Sequence, residues 1–488
     1  MLKNKITLKG IMPNPSIHSG VKLSEVVPGS LDHVSGVTSS TALVQRKRLR
    51  LVPQTAATAN PSDIINFLIQ DPGMLDLQSA VFHANIVVTG TNQTGVCTLD
   101  DGPSWLRQLV VQVDGQNLET QDRVNKCTNM ETYMTANSAL YNRALSFAGY
   151  WKFNPDLKAI SGATTANVWC DVSGNAAAPT SFYSTATYGY DVAVPLGLVS
   201  HVFRSEKMFP SRFANNLLIQ MQLEAAAQAL FTMGTATATN YQLTNIYLEI
   251  DSVTLNPAFT AFLQDAVMDA NGAGLVLPFN TKISAQGQSQ SNNGENTFVV
   301  SRASKNLRRV AVVQQPAAAL GASGTTYPEI STFPSAGFNT RGQSGQTQGQ
   351  IQLYIAGQYY PLFPCRGSAA YWVAHQAYNG HPLTDCDGGI VNYRTWGTTT
   401  EGASLVTNTG SQAFSDQWIW AYDLSKMVGS SDGLENDGVD STGNAQLQIT
   451  IKTGPKENGQ AAESYTPLVE MLGTKFLTLA NGELTIQG

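Results

Sequence analysis

A chain of 488 residues is too long for one ordinary core and about right for two large β domains plus an arm. Only 13% of the residues are charged and the net charge is −6, a low charge density that suits a protein whose outer surfaces are largely covered by neighbours. Five cysteines (Cys97, Cys127, Cys170, Cys365, Cys386) form neither a C-x-x-C pair nor an even framework, which argues against a secreted disulfide scaffold and for free thiols in a reducing compartment.

The opening MLKNKITLKGIMPNPS lacks the apolar centre of a signal peptide, and no stretch approaches about 18 uninterrupted apolar residues, so a soluble protein made in the cytoplasm is expected. The charge is uneven. Residues 1–50 hold eight basic side chains (Lys3, Lys5, Lys9, Lys22, Arg46, Lys47, Arg48, Arg50) against Glu25 and Asp32, giving +6 there and −12 in the remainder. Turn-forming MPNPS and VPGS segments mark 1–55 as an extended N-terminal arm, with a strand signal only in ALVQRKRLRLV at 42–52. Such an arm would face an anionic partner, a membrane surface or a packaged genome; a solvated tail followed by a strand with outward-pointing basic residues is the alternative.

From residue 62 strand signals become dense, at 64–70, 80–89, 106–114, 188–195, 216–224 and 241–255. The cleanest alternation is Leu217-Leu218-Ile219-Gln220-Met221-Gln222-Leu223-Glu224, one face apolar and one polar. A helix is expected at 122–141, where Val124, Cys127, Met130, Tyr133, Met134 and Tyr141 form one buried stripe. Residues 142–187 are weakly periodic and read as a long functional loop. The segment NPAFTAFLQDAVMDANGAG, at 256–274, reads as a connecting helix opened by Asn-Pro and closed by Gly. Strands resume at 275–279, 298–301, 307–314, 350–355, 417–422, 445–452, 469–479 and 483–487, separated by Gly- and Ser-rich loops.

One passage occurs twice. Val111-Gln112-Val113-Asp114-Gly115-Gln116 and, some 240 residues later, Leu353-Tyr354-Ile355-Ala356-Gly357-Gln358 each read as an alternating strand closed by Gly-Gln, then a short loop, then an aromatic-bearing helix, the second at 368–378. About eight short strands per half, without strand–helix alternation, indicate an all-β protein of two tandem antiparallel sandwiches of jelly-roll type: arm 1–55, first sandwich 56–257, connecting helix 258–274, second sandwich 275–488. Immunoglobulin-like sandwiches compete, but usually need only about 100 residues.

No catalytic constellation stands out. The six histidines are scattered, with no H-E-x-x-H and no carboxylate at ligand spacing, and there is no G-x-S-x-G or Walker loop. His375, among Tyr371, Trp372 and Tyr378, reads as structural. The acidic loop at 432–440 carries four carboxylates whose offsets do not fit an EF-hand, so a solvated turn is expected rather than an ion site. No catalytic residue, cofactor, metal ligand or small-molecule substrate is assigned.

The stretch from Pro61 to Val88, including Pro72-Gly73-Met74-Leu75-Asp76-Leu77, resembles the opening of the first jelly roll in double jelly-roll major capsid proteins of tailless icosahedral double-stranded DNA viruses, where a leucine-aspartate turn separates the first two strands. The Asp114-Gly115-Gln116 turn with its following helix is similar too, as are Tyr359-Tyr360-Pro361, the strand ending Tyr422-Asp423-Leu424, and the tail at 469–479 followed by Asn481-Gly482. The resemblance implies a homotrimer forming a pseudo-hexagonal capsomer, tiling with neighbouring capsomers, penton and minor capsid proteins in a virion capsid. It implies an inward-facing basic arm (Lys3, Lys5, Lys9, Arg46, Lys47, Arg48, Arg50) near an internal membrane or genome, and outward towers or intersubunit loops at 142–187 and 321–349. Trp151, Trp169, Trp396, Trp418 and Trp420 are candidate interface anchors. A two-domain β-sandwich enzyme or lectin acting on polysaccharide, or a minor or spike capsid component, are the alternatives.

Overall fold

The computed structural model describes residues 43–91, 96–137, 140–141, 144–150, 189–214, 216–233, 237–268, 274–291, 294–316, 333, 348–379, 391, 396, 418–425, 438–442, 447–453 and 464–488. The first half comprises β1 (Leu43–Leu51), β2 (Ile64–Ile69), β3 (Met74–Thr91), β4 (Val96–Leu99), β5 (Leu106–Val113), β6 (Gln116–Asp122), β7 (Gly189–Pro195), β8 (Leu217–Leu223), β9 (Leu230–Met233) and β10 (Thr237–Leu255), with helix α1 (Val124–Thr135) after β6. Helix α2 (Pro257–Met268) leads to the second half. There follow β11 (Leu275–Gln286), β12 (Gln290–Ser291), β13 (Gly294–Val300), β14 (Leu307–Pro316), β15 (Gln350–Ile355), β16 (Gln358–Arg366), helix α3 (Gly367–Asn379), β17 (Trp420–Asp423), β18 (Leu447–Thr453), β19 (Ser464–Ala480) and β20 (Glu483–Gln487).

Each half is a pair of antiparallel sheets with the same strand order. In the first half the sheets run β1-β10-β3-β7 and β2-β8-β5-β6; in the second, β11-β19-β14-β17 and β13-β18-β15-β16. Setting aside the minor strands β4, β9, β12 and β20, both halves read 1-8-3-6 and 2-7-4-5, the connectivity of a jelly roll. The chain is therefore a double jelly roll. Alternation drives it: β8 buries every second residue (Leu217, Ile219, Met221, Leu223), and β15 does the same with Ile351, Leu353 and Ile355. Inside the first sandwich Phe82 stacks on Trp105 at 4.9 Å between ring centroids and meets Phe67 edge-on at 6.2 Å.

The twice-occurring passage is the same hairpin in both sandwiches. Asp114 and Gly115 (φ 47° and 79°) join β5 to β6, and Ala356 and Gly357 (φ 53° and 83°) join β15 to β16. Two successive positive φ values make a two-residue turn whose twist matches the strands it joins. What the sequence presents as a short loop after each Gly-Gln is thus a strand, β6 or β16. The polar QNLETQD and the proline-bearing QYYPLFPCR conceal it.

Three further expectations are corrected. Residues 43–51 are not arm: β1 pairs with β10 from Leu43↔Leu255 to Leu51↔Leu248, with Leu49 and Leu51 against the core, so these residues belong to the first sandwich. The turn between the first two strands of β2–β3 spans 70–73, and Leu75, Asp76 and Leu77 lie within β3. Helix α1 buries not one stripe but nearly its whole circumference, Asn125, Lys126, Thr128, Asn129, Glu131 and Thr132 included, because it is enclosed between the sandwiches. Asn256 caps α2, accepting from the Ala258 N–H at 3.0 Å, with Pro257 at the first helical position.

Candidate functional site

The densest polar chemistry among the described residues lies in the seam between the two sandwiches. The edge strand β6 rests against β11 and β20. Its carboxylate Glu119 accepts from the Lys282 N–H at 2.6 Å and from the Ser200 hydroxyl. Its carbonyls serve the second sandwich as well: Leu118 O accepts from Lys475 Nζ at 2.8 Å, and Asp122 O from the Ser284 hydroxyl. Gln116 Nε2 donates to Leu484 O at 2.9 Å, and Lys126 Nζ to Gln315 Oε1 at 2.5 Å. An edge strand that would otherwise offer free backbone groups is capped by side chains of the other domain.

Behind this edge sits a chain of alternating charges. Glu131 on α1 accepts from Arg204 Nη1 at 2.6 Å, from His201 Nε2 at 2.9 Å and from Lys282 Nζ. Lys282, fully buried on β11, also lies 3.8 Å from Glu470 on β19. Glu470 accepts from Arg309 Nη2 at 3.0 Å, and the Arg309 guanidinium stands 4.3 Å over the Tyr378 ring. Burial pushes the His201 imidazole down to about 3, so it is neutral and donates to Glu131 from Nε2. Burial alone would raise Glu131; its contacts with His201, Lys282 and Arg204 outweigh that and hold it well below the usual carboxylate range. Glu119 has weaker compensation, and burial pushes it up to about 7. The Cys127 thiol beside the cluster is pushed upward by burial and is no nucleophile at neutral pH.

These groups are engaged mainly with one another. The arrangement does mechanical work: breaking one partner of a buried pair costs about 3–5 kcal/mol, so the cluster fixes the two sandwiches in one relative position. Sequence reading missed it. The available signal was a lone charge inside an apolar strand, Lys282 in LVLPFNTKISAQ and Glu470 in SYTPLVEMLG, since such a charge demands a partner.

The basic run is neutralised within its own sheet. Arg46 donates to Asp251 at 2.6 Å and to Asp76 at 3.0 Å, Lys47 to Asp71 at 2.8 Å and Arg48 to Glu249 at 2.8 Å, while the Arg50 guanidinium lies 3.6 Å over Tyr247. Burial opposes ionisation of Asp71, but hydrogen bonds from Lys47, Ser252 and the Gly73 N–H prevail and lower its pKa. These four cations zip β1 to β10 and β3 rather than forming an uncompensated patch. Lys3, Lys5 and Lys9 lie outside the described residues, as do Trp151 and Trp169, most of 142–187 and 321–349, and residues 432–437 of the acidic loop.

Trp396, Trp418 and Trp420 are not surface anchors: each is at most 1% exposed in the second sandwich, with Trp396 Nε1 donating to Ile419 O at 2.8 Å. The aromatics and aliphatics that do reach the surface are others, among them Val52, Phe262, Tyr359, Leu362, Phe363 and Trp372. His375 is buried and its ring packs 5.9 Å from Tyr371. Among the described residues no cluster of His, Cys, Asp and Glu is arranged to hold a metal ion, and no helix is long and apolar enough to cross a membrane. A shallow depression of about 500 Å³ lined by Gln70, Asp71, Pro72 and Asn216 offers one carboxylate, already engaged by Lys47.

No family model matches the chain, and no curated protein matches it in sequence. Solved structures match it in fold over nearly its whole length. The Faustovirus major capsid protein aligns over 90% of this chain and 91% of its own, with a TM-score of 0.54 and 10% identity. A chain of the PBCV-1 virus capsid aligns over 91% and 96% with a TM-score of 0.51 and 10% identity. A chain of the Sputnik virophage aligns over 91% and 89% with a TM-score of 0.56 and 12% identity. At such identities the likeness is one of fold: this chain and those proteins share the tandem jelly-roll architecture as a whole.

Proposed function

We propose that this chain is a structural major capsid protein that trimerises into pseudo-hexagonal capsomers and tiles an icosahedral viral shell. The observation that carries this reading is the pair of sandwiches with identical strand order, locked together through Lys282, Glu131 and Glu470 and alignable almost end to end with the Faustovirus major capsid protein. Two similar sandwiches per chain and three chains per capsomer supply six similar walls, so one polypeptide can occupy sixfold lattice positions. Its partners would be two further copies of itself, neighbouring capsomers, and penton and minor capsid proteins, in a virion assembled from subunits made in the host cytoplasm. Residues 1–42 would lie on the inner side, where Lys3, Lys5 and Lys9 can meet an internal membrane or the genome.

Negative-stain imaging of the purified protein tests this. Particles with a hexagonal outline and threefold symmetry are expected; compact two-lobed particles of single-chain size would overturn the proposal.

A further inference from the structure

Helix α2 joins the two sandwiches, yet little of it is covered. Of its 12 residues Val267 alone is buried, and the strand it packs on is β19. A surface helix ordinarily turns charged and polar side chains outward. Here the outward side carries aromatic rings: Phe259 and Phe262 are 41% and 65% exposed, with centroids 6.1 Å apart, so the two form one apolar ridge. Asp265 is the only charged residue on the helix.

The chain itself supplies a cover. β1 and β10 are antiparallel with Leu43 opposite Leu255, and Asn256 and Pro257 follow at once, so the chain entering β1 arrives from the side on which α2 begins. Residues 1–42 precede that point. A 12-residue helix is about 18 Å long and an extended chain covers about 3.3 Å per residue, so about six residues of this segment suffice to run the length of α2. Composition agrees with reach. No Asp, Glu, Lys or Arg occurs between Asp32 and Arg46, and Leu31, Val34 and Val37 are spread along this stretch. Laying it on the aromatic ridge buries apolar surface without stripping a charge of water.

We infer that the apolar ridge of α2 is the docking site of this chain's own segment 31–42, with Val34 and Val37 among the side chains that cover Phe259 and Phe262. The occupant is the chain's own segment because the pairing of Leu43 with Leu255 presents it to α2 at high effective concentration, an advantage that no separate molecule has. Docking gives the basic residues Lys3, Lys5, Lys9 and Lys22 a fixed point of departure at the junction of the two sandwiches. The contact is made within one chain, so it goes beyond the capsomer reading and stands or falls independently of it.

The test uses the full chain carrying Ala258→Cys, an exposed position one helical turn before Phe262, with maleimide labelling read at that site by peptide mass spectrometry. Labelling is expected to be at least about tenfold slower than in the same protein with Val34→Asp/Val37→Asp added, because the thiol must await release of the segment. Phe259→Ser/Phe262→Ser, which removes the other side of the contact, is expected to speed labelling equally. Rates that are fast in all three mean a bare ridge, and rates that are slow in all three mean another cover; either result overturns the inference. A flexible bismaleimide added to the double variant Val37→Cys/Ala258→Cys separates the chain's own segment from that of a second copy. A link mapped between the two sites in a species of 52.3 kDa on a denaturing gel is expected; a link found only at twice that mass, or no link, overturns the inference.

Discussion

Glu119 is the residue at which solvent chemistry reaches the seam. Its carboxyl is raised by burial from 4.5 to about 7, so the folded protein holds this proton more tightly than the unfolded chain. The stability this contributes is fully present below about pH 4.5 and is lost as pH rises through about 7, a span worth on the order of 3 kcal/mol. Glu119→Gln keeps an acceptor for the Lys282 N–H and removes the titration. Denaturant melts at pH 5, 6, 7 and 8 are expected to show wild-type stability falling more steeply than that of the variant; parallel slopes would contradict the assignment. Lys282 has the opposite character, a cation wholly inside the protein between two carboxylates. Lys282→Met takes away the cation that Glu131 and Glu470 share, leaving each buried carboxylate one positive partner fewer, and is expected to cost about 3–5 kcal/mol in urea unfolding. A loss below about 1 kcal/mol would mean that the cluster does not hold the seam.

Elements with clean period-two alternation were legible from the sequence, and those shaped by tertiary contact were not. β8 could be read because only one of its faces is covered. β6 could not, because the second sandwich covers its polar groups, which removes the need for alternation. The basic run of β1 was visible as a run, but its meaning was not: the carboxylates that neutralise it come from Asp71, Asp76, Glu249 and Asp251, and the last two are some 200 residues distant until β1 and β10 pair. For the tryptophans, residue type alone cannot separate an interface anchor from core, and Trp418 and Trp420 are both fully buried. The Gly-Gln repeat carried the most information, since it marks the same hairpin in both domains. At that hairpin Gly115 has open space around its Cα but φ of 79°, so Gly115→Ala is expected to cost about 1–2 kcal/mol through backbone strain alone. Ala356, a non-glycine held at φ 53° in the equivalent turn, is expected to gain up to about 1 kcal/mol on substitution Ala356→Asn, both effects read by thermal unfolding.

At the scale of the whole molecule, the duplicated sandwich is the dominant feature. Two jelly rolls of one topology are joined through a buried ionic seam. Such a body has no need of a catalytic pocket to be useful, because its information lies in the angle between its halves and in what it leaves uncovered. Obligate interfaces between such bodies commonly bury about 2,000–5,000 Å² or more, enough to keep a trimer intact through purification. The most direct test is therefore the solution mass of the purified full-length protein by light scattering: a single species of three times 52.3 kDa, unchanged on dilution, is the predicted result, and a stable 52.3 kDa monomer at high protein concentration would contradict the account.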